Sequence, residues 1–209
     1  NIRYSGISNI KIEDINYTKK LGYKIKLISK SEIQENTISS VVEPILIKKT
    51  SQLANVNGVL NAIKIETDHL DSLLLVGEGA GGKPTASSVI SDLFEISRDI
   101  KTYSLGYKNS QLINIKSINY DERITSYYLR IIVKDIPGVL AKITSNLNDE
   151  GISIETILQI PENNESKNKK EVPIIITTHK TVSHLLNRAL MKIEKLDFVI
   201  SKIAVINID

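Results

Sequence analysis

Residues 128–143 read YLRIIVKDIPGVLAKI, an apolar run of strand length followed by a short turn and an amphipathic segment. The run that ends near Val133 predicts a buried strand. Pro137 and Gly138 then mark a turn, and the apolar residues after them recur at helical spacing, which predicts a helix over residues 138–148. The apolar positions of that helix are Val139, Leu140, Ile143 and Leu147. The fold prediction therefore starts from a strand, a tight turn and a helix.

The chain beyond this helix continues with the same kind of alternation. The predicted elements are a strand at 152–160, a polar loop at 162–170, a strand at 172–178, a helix capped by Thr181 or Ser183, and a strand at 198–206. The order is strand, helix, strand, strand, helix, strand, in roughly 80 residues, which is typical of the ferredoxin-like βαββαβ arrangement.

A glycine-rich stretch lies further towards the N-terminus, where residues 77–85 read GEGAGGKPT. It connects a short apolar strand at 73–76 to a predicted helix that starts at Pro84 and runs to about residue 100. Glycines allow a ligand to approach the backbone closely, and a helix start offers free N–H groups. The alternative is a tight turn that contacts no ligand.

The first half of the chain predicts a helix that begins near residues 9–14 and ends at Gly22, followed by strands. These strands lie at 23–29, 38–49 and 58–66. Pro44 within the second of them predicts an edge or a bulge. We therefore expect an α+β chain: a mixed β-sheet with helices on one face over residues 1–115, a linker at 116–125, and the βαββαβ domain at 126–209.

Composition restricts the function classes. The chain has 209 residues, 41% of them hydrophobic, and no cysteine, which excludes disulfides and cysteine chemistry and leads us to expect the cytoplasm. The net charge of +3 is spread over both halves. Neither nucleic-acid nor membrane binding is expected, because no basic patch, signal peptide or long apolar run is present. The chain begins with Asn1 and its only methionine is Met191, so we expect a fragment.

Residues 128–143, together with GISIETILQ at 151–159, resemble the opening of an ACT domain. The resemblance implies a regulatory module that binds an amino acid at an interface between paired copies. The residues it assigns to this site are Asp135, Ile136, Pro137, Gly138, Val139 and Leu140. The helix N–H groups could hold an α-carboxylate and Asp135 could accept from an α-ammonium group. The alternative is that Asp135 only caps the helix and Gly138 only allows close packing.

Residues 77–93, GEGAGGKPTASSVISDL, resemble the end of the homoserine dehydrogenase catalytic domain, as do GVLNA at 58–62 and residues 6–27. The resemblance implies an enzyme that interconverts L-aspartate 4-semialdehyde and L-homoserine with NADP or NAD, on the route to threonine and methionine. It also implies a dimer, and feedback by threonine through the ACT domain. It places the cofactor-binding Rossmann domain and the catalytic lysine upstream, so no catalytic residue is expected here. The cofactor contacts it implies are Gly81 above all, with Gly77, Gly79 and Ala80.

The remaining polar residues are less informative. Lys83 does not match the catalytic position and is expected to be a solvated loop lysine. His69, His179 and His184 are scattered, and no metal site is expected. Two other functions stay open: a free-standing ACT-type sensor that pairs through its sheet edges without catalysis, and a structural dimer module with an empty ACT site.

Overall fold

A computed structural model describes residues 2–34, 36–69, 71–99, 103, 106–159 and 171–209. In chain order, its strands and helices are β1 (Arg3–Tyr4), α1 (Ile12–Lys20), β2 (Tyr23–Gln34), β3 (Thr37–Lys48), β4 (Leu60–Ile65), β5 (Leu73–Glu78), α2 (Gly82–Ser97), β6 (Lys116–Ser117), β7 (Ile124–Lys134), α3 (Val139–Asn148), β8 (Ile154–Leu158), β9 (Glu171–Thr178), β10 (Thr181–Val182), α4 (Ser183–Ile193) and β11 (Ala204–Ile208).

The chain forms two compact units, one made of residues 1–48 and 115–209 and the other of residues 49–114. The predicted division was 1–115, 116–125 and 126–209. The first 48 residues thus group with the last segment of the chain, and the predicted domain limits stay a prediction.

The βαββαβ order is confirmed by β7, α3, β8, β9, α4 and β11, and so is the α+β fold class. The strands pair antiparallel in the order β11-β7-β9-β8. Residues 160–170, with the end of the predicted strand 152–160 and the predicted polar loop, lie outside the described residues.

Alternate residues of β7 point to the two faces of this sheet. One set packs with α3 and α4 in a core that includes Leu129, Ile131, Val133, Ile143, Leu147, Leu186 and Ile193. The other set packs with the N-terminal segment in a second core that includes Tyr17, Leu46, Tyr128, Ile175 and Ile206. The sheet is therefore covered by α3 and α4 on one face and by α1 on the other.

Strand β3 joins the N-terminal segment to this sheet by parallel pairing with β11. The strand is interior, because it pairs with β2 along its length on one side and with β6, β1 and β11 in turn on the other. The edge or bulge predicted from Pro44 is therefore wrong. Pro44 falls between Val42, which is in register with β1, and Ile45, which is in register with β11. Between these two pairings, no backbone hydrogen bond to β1 or β11 requires an N–H from Pro44, which proline lacks.

A buried ion pair fixes α1 to β7. Asp14 is 0% exposed and Arg130 is 5% exposed. Arg130 donates from Nε to Asp14 Oδ1 at 2.6 Å and from Nη2 to Oδ2 at 3.1 Å. The hydroxyl of Tyr128 donates to Oδ1 at 3.0 Å, and the N–H of Lys11 donates to Oδ2 at 2.9 Å. Burial raises the pKa of Tyr128 and the Asp14 charge raises it further, so this hydroxyl remains a donor.

A second buried group joins β3 to the start of β7. The Glu43 carboxylate pairs with Arg123 and accepts from Asn207 Nδ2 at 2.5 Å. Glu43 and Asn207 are both buried. A buried carboxylate is costly unless it is paired and hydrogen-bonded, and here it is both. Residues 1–48 are thus held to the βαββαβ domain by strand pairing, an apolar core and two buried charge pairs.

The helix cap predicted at Thr181 or Ser183 is wrong, because α4 has Val182 at its N-cap without a side-chain cap. Ser183 is instead the first helical residue. Its Oγ donates to the carbonyl of Arg123 at 3.1 Å and lies 2.6 Å from the hydroxyl of Tyr127. Burial raises the pKa of Tyr127 to about 12. The Ser183 hydroxyl therefore hydrogen-bonds with a buried tyrosine and a loop carbonyl and does not cap the helix.

The second unit consists of the antiparallel pair β4–β5 and helix α2. Its described apolar side chains are largely exposed, and no described residue of α2 is buried. The exposed large hydrophobic residues include Ile63, Leu75, Val89, Ile90, Leu93 and Phe94. A two-stranded hairpin without a covered apolar face is marginally stable in water. The unit therefore needs a covering surface.

Removal of residues 1–114 is expected to destabilise the βαββαβ domain. The remaining chain, residues 115–209, would expose the second core to water and lose the ion pair between Arg130 and Asp14. We expect its thermal midpoint to fall by more than about 10 °C relative to the whole chain, since about 1 kcal/mol corresponds to 4–8 °C for a domain of this size. Circular dichroism melts of both chains measure this. Equal midpoints would show that the domain is stable without residues 1–48.

Candidate functional site

A cavity of about 360 Å³ lies where β7 ends and α3 begins. All six residues predicted for amino-acid binding line it, namely Asp135, Ile136, Pro137, Gly138, Val139 and Leu140. The structure thus brings the predicted set together around one space. The size is within the range of small-molecule pockets.

The turn in this cavity has a geometry that its sequence explains. The N–H of Ile136 donates to the carbonyl of Lys134 at 3.0 Å, which tightens the chain directly after the strand. Gly138 has φ +87° and is the N-cap of α3, whose first bond runs from Lys142 N–H to the Gly138 carbonyl at 3.1 Å. A left-handed conformation at this position favours glycine. No side chain caps the helix, so the alternative role of Asp135 as the helix cap is wrong.

The lining of the cavity combines apolar walls with groups of both charges. Val133, Val172 and Ile174 supply apolar surface. Lys134 and Asp135 are exposed and carry opposite charges, and the first N–H groups of α3 have no partner within the helix. A carboxylate and an ammonium group on one small ligand fit this arrangement. The residues that line this cavity could therefore bind a zwitterion.

Sequence reasoning missed Val133, Lys134, Gln159, Val172 and Ile174 in this lining. β9 lies between β7 and β8 and pairs antiparallel with both. β7 and β8 therefore run in the same direction, and their C-terminal ends lie at the same end of the sheet. That arrangement brings Gln159 towards Asp135. The predicted order of strands and helices along the chain already implied this arrangement, because the second strand of a ferredoxin-like βαββαβ unit runs parallel to the first.

The glycine loop forms a separate candidate site in the second unit. It connects β5 to α2, with Gly81 at the N-cap at φ +117° and ψ +157°. This conformation is essentially restricted to glycine. Thr85 anchors the cap, since its N–H and Oγ1 donate to the Gly81 carbonyl at 3.2 and 2.8 Å.

The four predicted cofactor residues lie in sequence along this loop. Gly77 is at the end of β5 and pairs with Asn61 of β4, while Gly79 and Ala80 lead to Gly81. A Cβ built at Gly77 would meet nothing within 4 Å, so the backbone is open to a flat group there. Lys83 lies in the first turn of α2 and is exposed, as predicted.

His69, His179 and His184 are not among the residues that line the cavity at the start of α3. His184 Nδ1 is 3.0 Å from the carbonyl of Asp121. Within the described ranges, no three His, Asp or Glu side chains are grouped so that they could hold a metal ion. None of the helices described here has the length and apolar character required to cross a membrane.

The sequence resembles known proteins along nearly all of its length. The family model described as homoserine dehydrogenase matches residues 1–94, and the ACT domain model matches residues 127–198. The homoserine dehydrogenase of Neisseria gonorrhoeae is 35% identical over 98% of this chain and 47% of its own length. That of Pseudomonas aeruginosa is 34% identical over 98% of this chain and 48% of its own length.

Solved structures give the same correspondence. The crystal structure of a homoserine dehydrogenase from Thiobacillus denitrificans has a TM-score of 0.86 and 36% identity, and covers 99% of this chain and 48% of that one. The chain thus spans about half the length of the relatives that it matches. Residues 1–94 thus match the homoserine dehydrogenase family model, residues 127–198 match the ACT domain model, and the chain corresponds to the C-terminal portion of those relatives.

Proposed function

We propose that this chain is part of a homoserine dehydrogenase that interconverts L-aspartate 4-semialdehyde and L-homoserine with NADP or NAD. The observation that carries the proposal is the match to homoserine dehydrogenases over 98% of the chain. The Rossmann domain and the catalytic lysine would lie in the part of the relatives that this chain does not span. The fragment alone is therefore expected to be inactive. A cytoplasmic location stays a prediction.

The glycine loop would form one wall of the active site. Gly77, Gly79, Ala80 and Gly81 would lie against the nicotinamide end of the cofactor, which supplies or accepts the hydride when bound. The three glycines would contribute close approach, because a side chain at their positions would hold a flat ring away from the backbone. The exposed apolar residues of α2 and of the β4–β5 pair support contact with a further polypeptide.

The ACT cavity would bind threonine as a regulator. Asp135 would accept from the α-ammonium group, and the start of α3 would hold the α-carboxylate. Threonine could change activity only if its affinity differs between two states of the enzyme. Among the described strands, β2 and β8 each pair with a neighbour on one side only. Such edge strands support the proposal of a dimer or higher oligomer.

Two measurements test the proposal. The chain is co-expressed with the upstream half of the N. gonorrhoeae enzyme, and NADPH oxidation by aspartate semialdehyde is measured. We expect activity only when both parts are present; if the pair copurifies yet is inactive, the enzyme proposal fails. Calorimetric titration of the chain with threonine tests regulation, and no heat of binding at millimolar threonine would contradict it.

Gly81 provides the first matched pair of variants. Gly81→Ala forces alanine into a conformation that costs about 1–3 kcal/mol, and it adds a methyl group to the cofactor wall. We expect kcat/KM of the reconstituted enzyme to fall about tenfold or more. Gly82→Ala is the control, because its Cβ would meet nothing within 4 Å and its φ is not positive. Equal kcat/KM values for the two variants would contradict the assigned role of Gly81.

The free-standing sensor remains the alternative function. It would use the ACT cavity and the sheet edges, but it assigns no role to the glycine loop or to the exposed apolar side chains of α2, which include Val89, Ile90, Leu93 and Phe94. These features favour the enzyme. A gene that encodes only this chain, with threonine binding intact, would support the sensor.

A further inference from the structure

The space beside Gly79 is occupied by a side chain of the same unit. A Cβ built at Gly79 would lie 2.5 Å from Asn61 Nδ2 and 3.0 Å from its Cγ. Real Cβ atoms do not approach other atoms so closely, so a side chain at 79 requires Asn61 to move. Elsewhere in the loop the tightest such contact is the one at Gly81, 3.6 Å from Pro84 Cδ. Gly79 is thus the position at which the loop packs against another residue.

Asn61 reaches Gly79 because of the strand register. Asn61 of β4 is paired with Gly77 of β5, and Gly79 lies two residues further along the same chain. A diagonal neighbour of this kind is within reach of a side chain. Asn61 Nδ2 also donates to the carbonyl of Val59 at 3.2 Å. The amide at the tip of the side chain is therefore held by a hydrogen bond to the backbone directly before its own strand.

We propose that Asn61 is a positioning residue for the glycine loop. Its amide fills the space beside Gly79 and sets the path of the backbone from the end of β5 to the N-cap of α2 at Gly81. On this account a side chain at 79 would displace the Asn61 amide, glycine at 79 keeps that amide beside the loop, and a ligand would bind the exposed side of the loop. The binding of a ligand to the exposed side of the loop rests on the proposed function, whereas the contact between Asn61 and Gly79 does not.

The test changes Gly79 and Asn61 singly and together, because the effect of one change should depend on the other if the two residues are in contact. Gly79→Ala, Asn61→Ala and the double variant are prepared with ¹⁵N label in the whole chain, and Gly77→Ala is the control because its Cβ has open space. The measured quantities are the ¹H–¹⁵N shifts of the backbone amides of residues 78–82. We expect Gly79→Ala to move these signals and the Asn61 side-chain amide signals, and Gly77→Ala to leave the Asn61 signals in place. In the Asn61→Ala background, the shifts caused by Gly79→Ala should be about threefold smaller, because residues in contact are non-additive.

Gly79→Ala, Asn61→Ala and their double variant are also assayed for kcat/KM in the reconstituted enzyme. If Asn61 positions the glycine loop, Gly79→Ala should lower kcat/KM strongly when residue 61 is asparagine and much less when residue 61 is alanine. Equal effects of Gly79→Ala in both backgrounds, by NMR or by kcat/KM, would overturn the proposal. If the reconstituted enzyme has no activity at all, the enzyme proposal fails and the NMR comparison still decides the role of Asn61.

Discussion

Replacement of Asp14 by alanine is expected to lower the free energy of unfolding by about 3–5 kcal/mol, because it leaves a buried arginine without its counter-charge. Arg130 is 5% exposed and directs two donors at this carboxylate. The variant also removes the acceptor of the Tyr128 hydroxyl and of the Lys11 N–H. Urea unfolding followed by circular dichroism measures the change.

Two further variants make this prediction specific. Glu32→Gln breaks an ion pair with Lys30 whose side chains are 44% and 30% exposed, and it should change stability by less than about 1 kcal/mol. The double variant Asp14→Leu with Arg130→Met removes both charges, and we expect it to recover most of the loss, since a buried pair can be exchanged for apolar residues at little cost. A double variant as unstable as Asp14→Ala would show that α1 depends on something other than charge compensation.

The elements of the βαββαβ domain could be predicted because each is a periodic run bounded by turn residues. Residues 128–143 contain the strand, the turn and the helix in one stretch, and β7 and α3 follow that pattern. The attachment of residues 1–48 could not be predicted in the same way. The parallel pairing of β3 with β11 and the contact between Asp14 and Arg130 join residues more than 100 positions apart. Periodicity gives no information about such pairs.

One signal for the buried ion pair was nevertheless present. Arg130 stands inside the apolar run at 127–133, and a charged residue in a strand that is buried on both faces must have a partner. The sequence indicated that a carboxylate was required but not which one. For the loop, the glycines predicted close approach without distinguishing a ligand from Asn61. Only the register of β4 with β5 identifies the nearer neighbour.

Replacement of Asp135 by asparagine is expected to weaken threonine binding about tenfold or more, because a hydrogen bond to a charged group contributes about 1.5–3 kcal/mol. Asp135 is exposed and lines the cavity, and it does not cap α3, so the fold should be unaffected. Calorimetry of threonine binding measures the change. Asp149→Asn is the control, since Asp149 is an exposed acid at the opposite end of α3.

The ligand offers a second test of the same contact. 3-Hydroxybutyrate has the carboxylate and the hydroxyl of threonine but no ammonium group. If Asp135 binds the ammonium group, wild type and Asp135→Asn should bind 3-hydroxybutyrate with equal, weak affinity, while threonine distinguishes them. A variant that binds threonine as tightly as wild type would instead assign the charge of Asp135 no part in binding, and the carboxylate site at the start of α3 would then have to account for the affinity.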